Sequence, residues 1–333
     1  MKSIFDLWPT ALCKQIIIIC VLLRKCVLGG IWNIYDLQYW RCLLKKTNQC
    51  PDNDIKFYLY THDTGKTRMR IDIRNPYSLK LSGWSPHKKN VLIIHGFNGT
   101  ESKTPMTILR NAYLSRHDYN IFTVDWKPLT RFPCYLSALS NTRLVAQCTA
   151  KLYAFMMDNG AAAEDTTCVG HSLGAHICGM ISNHLNVKQH RIVGLDPARP
   201  LIDRYADNVW MLTRDDAHQV LVVHTNAGFL GEVNQIGHVD FCVNGGRMQP
   251  GCKGHRLRRS RCSHFQSACY FANTVRKTNS SIAYPCSSEC PKMDRNHWGI
   301  LSREGIPMGE DTPYGVRGMY CIDTKSNTDC PFD

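Results

Sequence analysis

The sequence predicts an α/β fold with a mostly parallel central sheet flanked by helices. Five short apolar runs rich in β-branched residues each end at a polar residue or a glycine: 91–94, 121–124, 166–169, 192–195 and 220–223. Runs of this kind, without alternation of polar residues, are typical of strands that are covered on both faces. Helical patterns lie between them, and this alternation favours parallel pairing with right-handed crossovers.

Two stretches between the runs have helical patterns. The first has its apolar residues at the spacing of one helix face, namely Leu144, Val145, Cys148, Leu152, Phe155 and Met156. The second extends from residue 175 to about 185 and is rich in small and apolar side chains. In sheets of this class, ligands and catalytic groups gather at the carboxyl ends of the strands. We therefore expect functional side chains directly after the five runs.

The chain has 333 residues, of which 44% are hydrophobic and 20% are charged. This length and composition suit a folded protein with a large core and exclude a disordered chain. No repeat, heptad pattern or Ser/Gly-rich linker divides the sequence. We expect one domain over residues 50–333, preceded by an N-terminal extension over 31–49.

Residues 1–30 resemble a secretory signal peptide. Lys2 and Lys14 precede an apolar run at 16–23, and Gly29 and Gly30 follow it. The run is far shorter than the roughly 20 residues that span a bilayer. The basic residues directly after the run are atypical and leave a retained anchor or an unprocessed leader as alternatives. The sequence thus predicts a secreted, extracellular protein.

Cysteine usage agrees with export. Of 17 cysteines, 3 lie in the leader, and the 14 that remain are an even number. Exported chains with many cysteines form disulfides, although the pairing does not follow from a count.

The most specific motif runs from Gly170 to Gly174. Gly170-His171-Ser172-Leu173-Gly174 matches G-x-S-x-G, and it lies directly after one predicted strand and before one predicted helix. A glycine-rich turn without chemistry is the alternative reading. The strand–turn–helix context favours a nucleophile elbow, with Ser172 as the candidate nucleophile and the Leu173 amide as a candidate oxyanion donor.

A serine nucleophile needs a histidine base that is oriented by a carboxylate. In this fold class the chain order is serine, acid, histidine. Asp196 follows Ser172 by 24 residues and lies directly at a predicted strand end, so it is the candidate acid; a capping or turn aspartate is the alternative. Among 14 histidines, His264 is the candidate base because it follows Asp196 and lies in a predicted loop that Cys262 fixes. His95-Gly96 after an earlier strand turns the backbone so that the Phe97 amide becomes the second oxyanion donor.

Residues 250–264 carry five basic side chains between Cys252 and Cys262, namely Lys253, Arg256, Arg258, Arg259 and Arg261. A nucleic-acid arm is disfavoured because no folded reader or flanking aromatic residue accompanies the charge. A zinc knuckle is disfavoured by the cysteine spacing and by export. A plain solvated loop stays open beside a basic surface that attracts anionic lipid or glycan. The formal charge of +13 favours anionic surfaces without choosing among them.

Several motifs together resemble the pancreatic lipase family of α/β-hydrolases, in the order "VLIIHGF", "VDW", "VGHSLGAH", "GLDPA", "GHVDFCVNGG", "PGC" and "CSH". The similarity extends from about residue 50 through "RGMYCIDT". It implies the α/β-hydrolase fold with a triad of Ser172, Asp196 and His264 and with Phe97 and Leu173 as oxyanion donors.

Departures from the family pattern narrow the expected activity. The family's lid corresponds to the segment between Cys252 and Cys262, a pair that the resemblance implies is a disulfide. That segment has nine residues here, and the companion loop at 227–236 is also short. Short loops at both places are similar to phospholipase A1 members, including those of wasp venoms and related insect enzymes. The resemblance therefore implies hydrolysis of the sn-1 ester of phospholipids, with a triacylglycerol lipase or a non-catalytic carrier of the yolk-protein type as alternatives.

Partners and cofactors follow from the same resemblance. The substrate is a phospholipid or other lipid ester at a membrane or lipoprotein interface. No β-sandwich domain follows the hydrolase pattern, so no colipase is expected. The family's calcium site is poorly matched, because Asn208, Met211 and Thr213 stand near the expected ligand positions. We expect neither a metal nor another cofactor, and no nucleic acid.

Overall fold

The computed structural model describes residues 42–46, 49–202, 209–276, 282–286, 290 and 304–324. The predicted leader at 1–30, most of the predicted extension at 31–49 and Asn208 lie outside these residues. The domain boundaries thus stay predictions. Among the described residues, no helix combines the length and the apolarity that a bilayer crossing requires.

The described strands form one 11-stranded sheet with the order β10-β9-β11-β8-β7-β6-β5-β3-β4-β1-β2. Its centre, from β4 through β11, is parallel, and antiparallel strands complete both edges. The predicted parallel sheet is confirmed. The strands are Lys56–Tyr60 (β1), Met69–Ile71 (β2), Lys89–Ile94 (β3), Tyr119–Asp125 (β4), Thr166–His171 (β5), Gln189–Leu195 (β6), Ala217–His224 (β7), Val239–Val243 (β8), Ile282–Pro285 (β9), Ile306–Pro307 (β10) and Gly318–Ile322 (β11).

Five helices are described, namely Ser78–Leu81 (α1), Met106–Leu114 (α2), Tyr135–Asp158 (α3), Leu173–Ile181 (α4) and Arg256–Arg276 (α5). The six residues that predicted the first helix lie in α3, and the second predicted helix is α4. A short 3-10 turn, Ser182–His184, follows α4 and accounts for the longer predicted range.

The core has one layer on each face of the sheet. Leu92 and Ile94 of β3 pack into one layer, which contains the apolar residues of α3 and α4. Val91 and Ile93 point to the opposite layer, with α2 and α5. This alternation along one apolar strand explains why β3 has no polar face, since each face buries against helices.

The prediction that His264 lies in a loop was wrong. His264 is inside α5, which begins at Arg256. The apolar residues Ala268, Phe271, Ala272 and Val275 follow helical spacing and are fully buried. Their burial against the sheet stabilises a long helix, whose first turns extend back into the basic segment.

Six disulfides join pairs of described cysteines. Disulfides of this number are consistent with an exported protein. They are Cys42–Cys134, Cys50–Cys148, Cys168–Cys178, Cys242–Cys290, Cys252–Cys262 and Cys286–Cys321.

Candidate active site

Ser172 occupies a sharp turn between β5 and α4. Its backbone has φ 59° and ψ −121°, a conformation that a residue with a side chain rarely adopts. The two flanking glycines permit it: a Cβ on Gly170 would collide with the Gly174 backbone, and a Cβ on Gly174 would collide with the Ile94 carbonyl group. The motif residues therefore form the strained elbow that the sequence predicted.

Asp196 follows the last residue of β6 and is fully buried. Its Oδ2 atom lies 2.5 Å from Nδ1 of His264. Its Oδ1 atom accepts the backbone N–H groups of Thr225 at 2.8 Å and Asn226 at 2.9 Å. Both carboxylate oxygens thus have donors, and a neutral His264 that donates through Nδ1 keeps its lone pair on Nε2.

Ser172 and His264 line the same cavity, which has a volume of about 660 Å³. The loop after β3 closes one side of it. A Cβ on Gly96 would lie 2.6 Å from the Ser172 Cβ atom and 3.1 Å from its Oγ atom, so this loop contacts the serine directly. The structure therefore brings Ser172, His264 and, through the 2.5 Å contact, Asp196 into one site.

The two predicted oxyanion donors flank Ser172. Phe97 lines the cavity, and Leu173 is the first residue of α4. Within the described part of the chain, neither backbone amide donates a hydrogen bond to the protein. Free amides at a helix start and beside a candidate nucleophile can bind a developing negative charge.

Contacts of His95 hold the loop that carries Phe97. The Trp126 indole N–H donates to the His95 carbonyl oxygen at 2.9 Å, and His95 Nδ1 lies 3.0 Å from the Gly96 carbonyl oxygen. The Phe97 ring packs edge-on against Tyr135, with 5.0 Å between the ring centroids. These contacts fix the amide of Phe97 before any ligand arrives.

His171 supports the helix that carries His264. Its Nε2 atom donates to the His264 carbonyl oxygen at 3.0 Å, and the two rings are 4.5 Å apart. Burial, followed by the neighbouring His264, holds the pKa of His171 well below its usual range. His171 is therefore a neutral imidazole that supports α5 beneath His264.

Sequence patterns did not reveal the Thr225 and Asn226 amides that hold Asp196. Backbone groups carry no residue-type signal, because every residue except proline has one. The predicted strand over 220–223, which ends shortly before them, was the only sequence feature that pointed to this place. Arg261 and Lys103 also line the cavity beside the candidate residues, and the sequence did not place Lys103 there.

The segments that were considered for metal binding make other contacts in the structure. Cys252 and Cys262 form a disulfide, so a zinc knuckle built on their thiolates is excluded. In the described ranges, no group of three or more His, Cys, Asp or Glu side chains is arranged to hold a metal ion. Thr213 instead begins a short 3-10 turn, where its side chain accepts the Asp215 N–H.

Comparison of the sequence with known proteins identifies the family of the chain. A family model described as Lipase matches residues 36–296. Lipase member H-A of Xenopus laevis is 34% identical over 239 residues, which cover 70% of this chain and 51% of the relative. Pancreatic lipase-related protein 2 of Rattus norvegicus is 30% identical over 278 residues, which cover 77% of this chain and 58% of the relative. The chain thus spans about half the length of the curated relatives it matches.

A phospholipase/carboxylesterase from Dyadobacter fermentans has a TM-score of 0.35 and 12% identity over 53% of this chain and 75% of that chain, a likeness too weak to support an inference. The family match and the curated relatives suffice by themselves to assign the family. The chain belongs to the Lipase family, the pancreatic lipase family of α/β-hydrolases.

Proposed function

We propose that this chain is a secreted serine esterase that hydrolyses the sn-1 acyl ester of phospholipids, a phospholipase A1. One observation carries the proposal: the hydrogen bond between His264 and Asp196 at the cavity that Ser172 lines. An oriented histidine beside a serine on a strained elbow is the arrangement that acyl transfer requires. The lipase relatives support ester hydrolysis as the reaction class.

The mechanism follows from the placement of these groups. His264 removes the proton from Ser172, and the serine oxygen attacks the carbonyl carbon of the ester. Asp196 stabilises the imidazolium ion that forms, and the amides of Phe97 and Leu173 bind the oxyanion. His264 then protonates the leaving alcohol, and water releases the fatty acid from Ser172 by the same steps.

Phospholipid is favoured over triacylglycerol by the walls of the site. The segment between Cys252 and Cys262 is short, and from Arg256 onward it is part of α5. It offers little apolar surface for acyl chains. The described residues that line the cavity include Lys103 and Arg261 and no carboxylate, and cationic side chains suit a phosphodiester head group.

The decisive experiment is product analysis on a phosphatidylcholine whose sn-1 and sn-2 chains differ in mass. We expect release of the sn-1 chain, accumulation of 2-acyl lysophospholipid and slower cleavage of triolein emulsions. Ser172→Ala is the control and should release neither chain. Faster cleavage of triolein supports a triacylglycerol lipase instead. Hydrolysis of no ester, with the wild type and Ser172→Ala alike, supports a lipid carrier.

Basic residues around the cavity support an anionic lipid surface as the partner. Arg258, Arg261 and His264 follow at intervals of three along α5, so one charged stripe leads to the candidate base. Arg258 and Arg259 are exposed, and the first turn of α5 contains no acidic residue. Cations at a helix N-terminus are unfavourable because of the helix dipole. An anionic membrane relieves this unfavourable charge.

Charge reversal tests this surface. Arg258→Glu/Arg259→Glu should weaken binding to vesicles of phosphatidylcholine and phosphatidylserine and leave hydrolysis of a soluble short-chain ester unchanged. Lys66→Glu is the matched control, since Lys66 is exposed in the connection between the edge strands β1 and β2. Unchanged vesicle binding of the double variant removes the idea. Loss of binding to heparin without loss of vesicle binding assigns the surface to glycans.

A further inference from the structure

A second histidine–carboxylate pair lies next to the backbone segment that binds Asp196. His224 is the last residue of β7, Asp240 lies in β8, and both side chains are completely buried. His224 Nε2 is 2.9 Å from Asp240 Oδ2, and His224 Nδ1 is 3.0 Å from the Glu232 carbonyl oxygen. The proposed chemistry assigns no role to this pair.

The two contacts define the charge of His224. The Glu232 carbonyl oxygen can only accept, so Nδ1 carries a proton. Asp240 accepts two backbone N–H groups besides, which favours its ionised form, so Nε2 carries the second proton. His224 is then an imidazolium ion that Asp240 balances. Burial by itself lowers the pKa of His224, but the hydrogen bond and charge of Asp240, together with the charge of Asp196, raise it above the usual value.

Two neighbouring segments are tied to this ion pair. Asp240 also accepts the N–H groups of Ile236 at 3.1 Å and Gly237 at 2.9 Å, so it fixes the loop before β8. On the other side, Thr225 follows His224 directly and donates its N–H to Asp196.

The end of β7 and Asp196 are also linked in the opposite direction. The Asp196 N–H donates to the Val223 carbonyl oxygen at 2.8 Å. Val223 and Thr225 thus both bind Asp196, and His224 lies between them. A shift of the His224 ring would displace Val223 and Thr225, and with them two contacts that hold Asp196 in place.

We propose that His224 and Asp240 are positioning residues, which hold the end of β7 as a buried ion pair so that Asp196 faces His264. They touch neither the substrate nor the reacting atoms. This inference rests on the proposed function, and it adds a buried structural charge pair that ester hydrolysis depends on.

The test compares His224→Gln, Asp240→Asn and the double variant. Arg191→Gln is the control, because Arg191 donates from a buried site to the Gly309 and Glu310 carbonyl oxygens near the opposite end of β6. On a soluble short-chain ester, we expect kcat of His224→Gln to fall on the order of 10- to 100-fold, with KM unchanged, as for an active-site group displaced by up to 1 Å. Arg191→Gln should lose stability and keep its kcat.

The pH profile separates positioning from a general loss of stability. In His224→Gln the Asp240 carboxylate lacks its counter-charge and stabilises protonated His264, so the acidic limb of kcat/KM should move to higher pH. In Asp240→Asn the pair stays uncharged overall, because His224 loses its extra proton, and the limb should stay in place. In the double variant, the acidic limb should lie at a pH closer to the wild-type value than in His224→Gln, since removing both charges leaves none unpaired.

A readout that does not need activity keeps the two proposals distinguishable. The proton between His264 and Asp196 should give a far-downfield ¹H resonance, assigned by its absence in His264→Gln. This resonance should shift or disappear in His224→Gln and persist in Arg191→Gln. A wild type that hydrolyses no ester refutes the proposed function while the resonance still tests the positioning role. An unchanged resonance and an unchanged pH profile in His224→Gln overturn the inference. If that variant does not fold, Asp240→Asn serves through kcat and the resonance, because Asp240 holds His224 and the loop before β8. A wild-type kcat together with an unchanged resonance in Asp240→Asn then overturns the inference.

Discussion

Gly231 packs against the Asp196 carboxylate so closely that a side chain at residue 231 would displace it. A Cβ at residue 231 would lie 2.6 Å from the Asp196 Cγ atom. Non-bonded carbon atoms prefer about 3.5 Å or more, so the carboxylate of a Gly231→Ala variant must retreat by about 1 Å. The backbone cannot retreat instead, because residue 231 is bridged to Ala198 and Ala227. A displacement of about 1 Å costs on the order of 100-fold in rate, or about 2.7 kcal/mol of transition-state stabilisation.

The assay is steady-state hydrolysis of a soluble p-nitrophenyl ester by Gly231→Ala. We expect kcat to fall on the order of 100-fold with KM nearly unchanged, since the cavity walls stay intact. Gly305→Ala is the control, because its Cβ is equally crowded, but by Ile282 and Tyr284, which do not line the cavity. A Gly231→Ala enzyme with wild-type kcat would show that the position of Asp196 does not limit catalysis.

Two further predictions concern stability. Replacing Cys252 and Cys262 together by alanine should lower the free energy of unfolding by about 2–3 kcal/mol in urea titrations, because an 11-residue closed loop is released in the unfolded chain; an unchanged midpoint contradicts this. Burial raises the pKa of Asp216 to about 6, so the folded chain holds a proton that the unfolded chain has released. The contribution of Asp216 to stability should therefore fall as the pH rises from about 4 to 6, so the thermal unfolding midpoint of Asp216→Asn should rise relative to that of the wild type over this range; an unchanged difference contradicts this.

The sequence predicted the parallel sheet and the elbow because their signals are local. A β-branched run records burial on both faces, and the glycines at 170 and 174 record a close approach that permits no side chain. Asp196 was predicted as the acid from its place directly after such a run. These features need only the order of neighbouring residues.

The parts that sequence reasoning missed depend on contacts between distant segments. The basic residues from Arg256 onward look like a loop, and they are helical because the apolar face that follows them packs on the sheet. The pairing of His224 with Asp240 joins two strands and leaves no pattern in either one. The amides that hold Asp196 belong to the backbone, so residue types do not reveal them.

The proposed ester hydrolysis requires Ser172 as its nucleophile. Treatment with a fluorophosphonate probe, followed by intact-protein and peptide mass spectrometry, tests it most directly. We expect one adduct, on Ser172, which forms in step with loss of ester hydrolysis and much more slowly in His264→Gln. Full ester hydrolysis by Ser172→Ala, or inactivation through an adduct on another residue, would show that Ser172 is not the nucleophile.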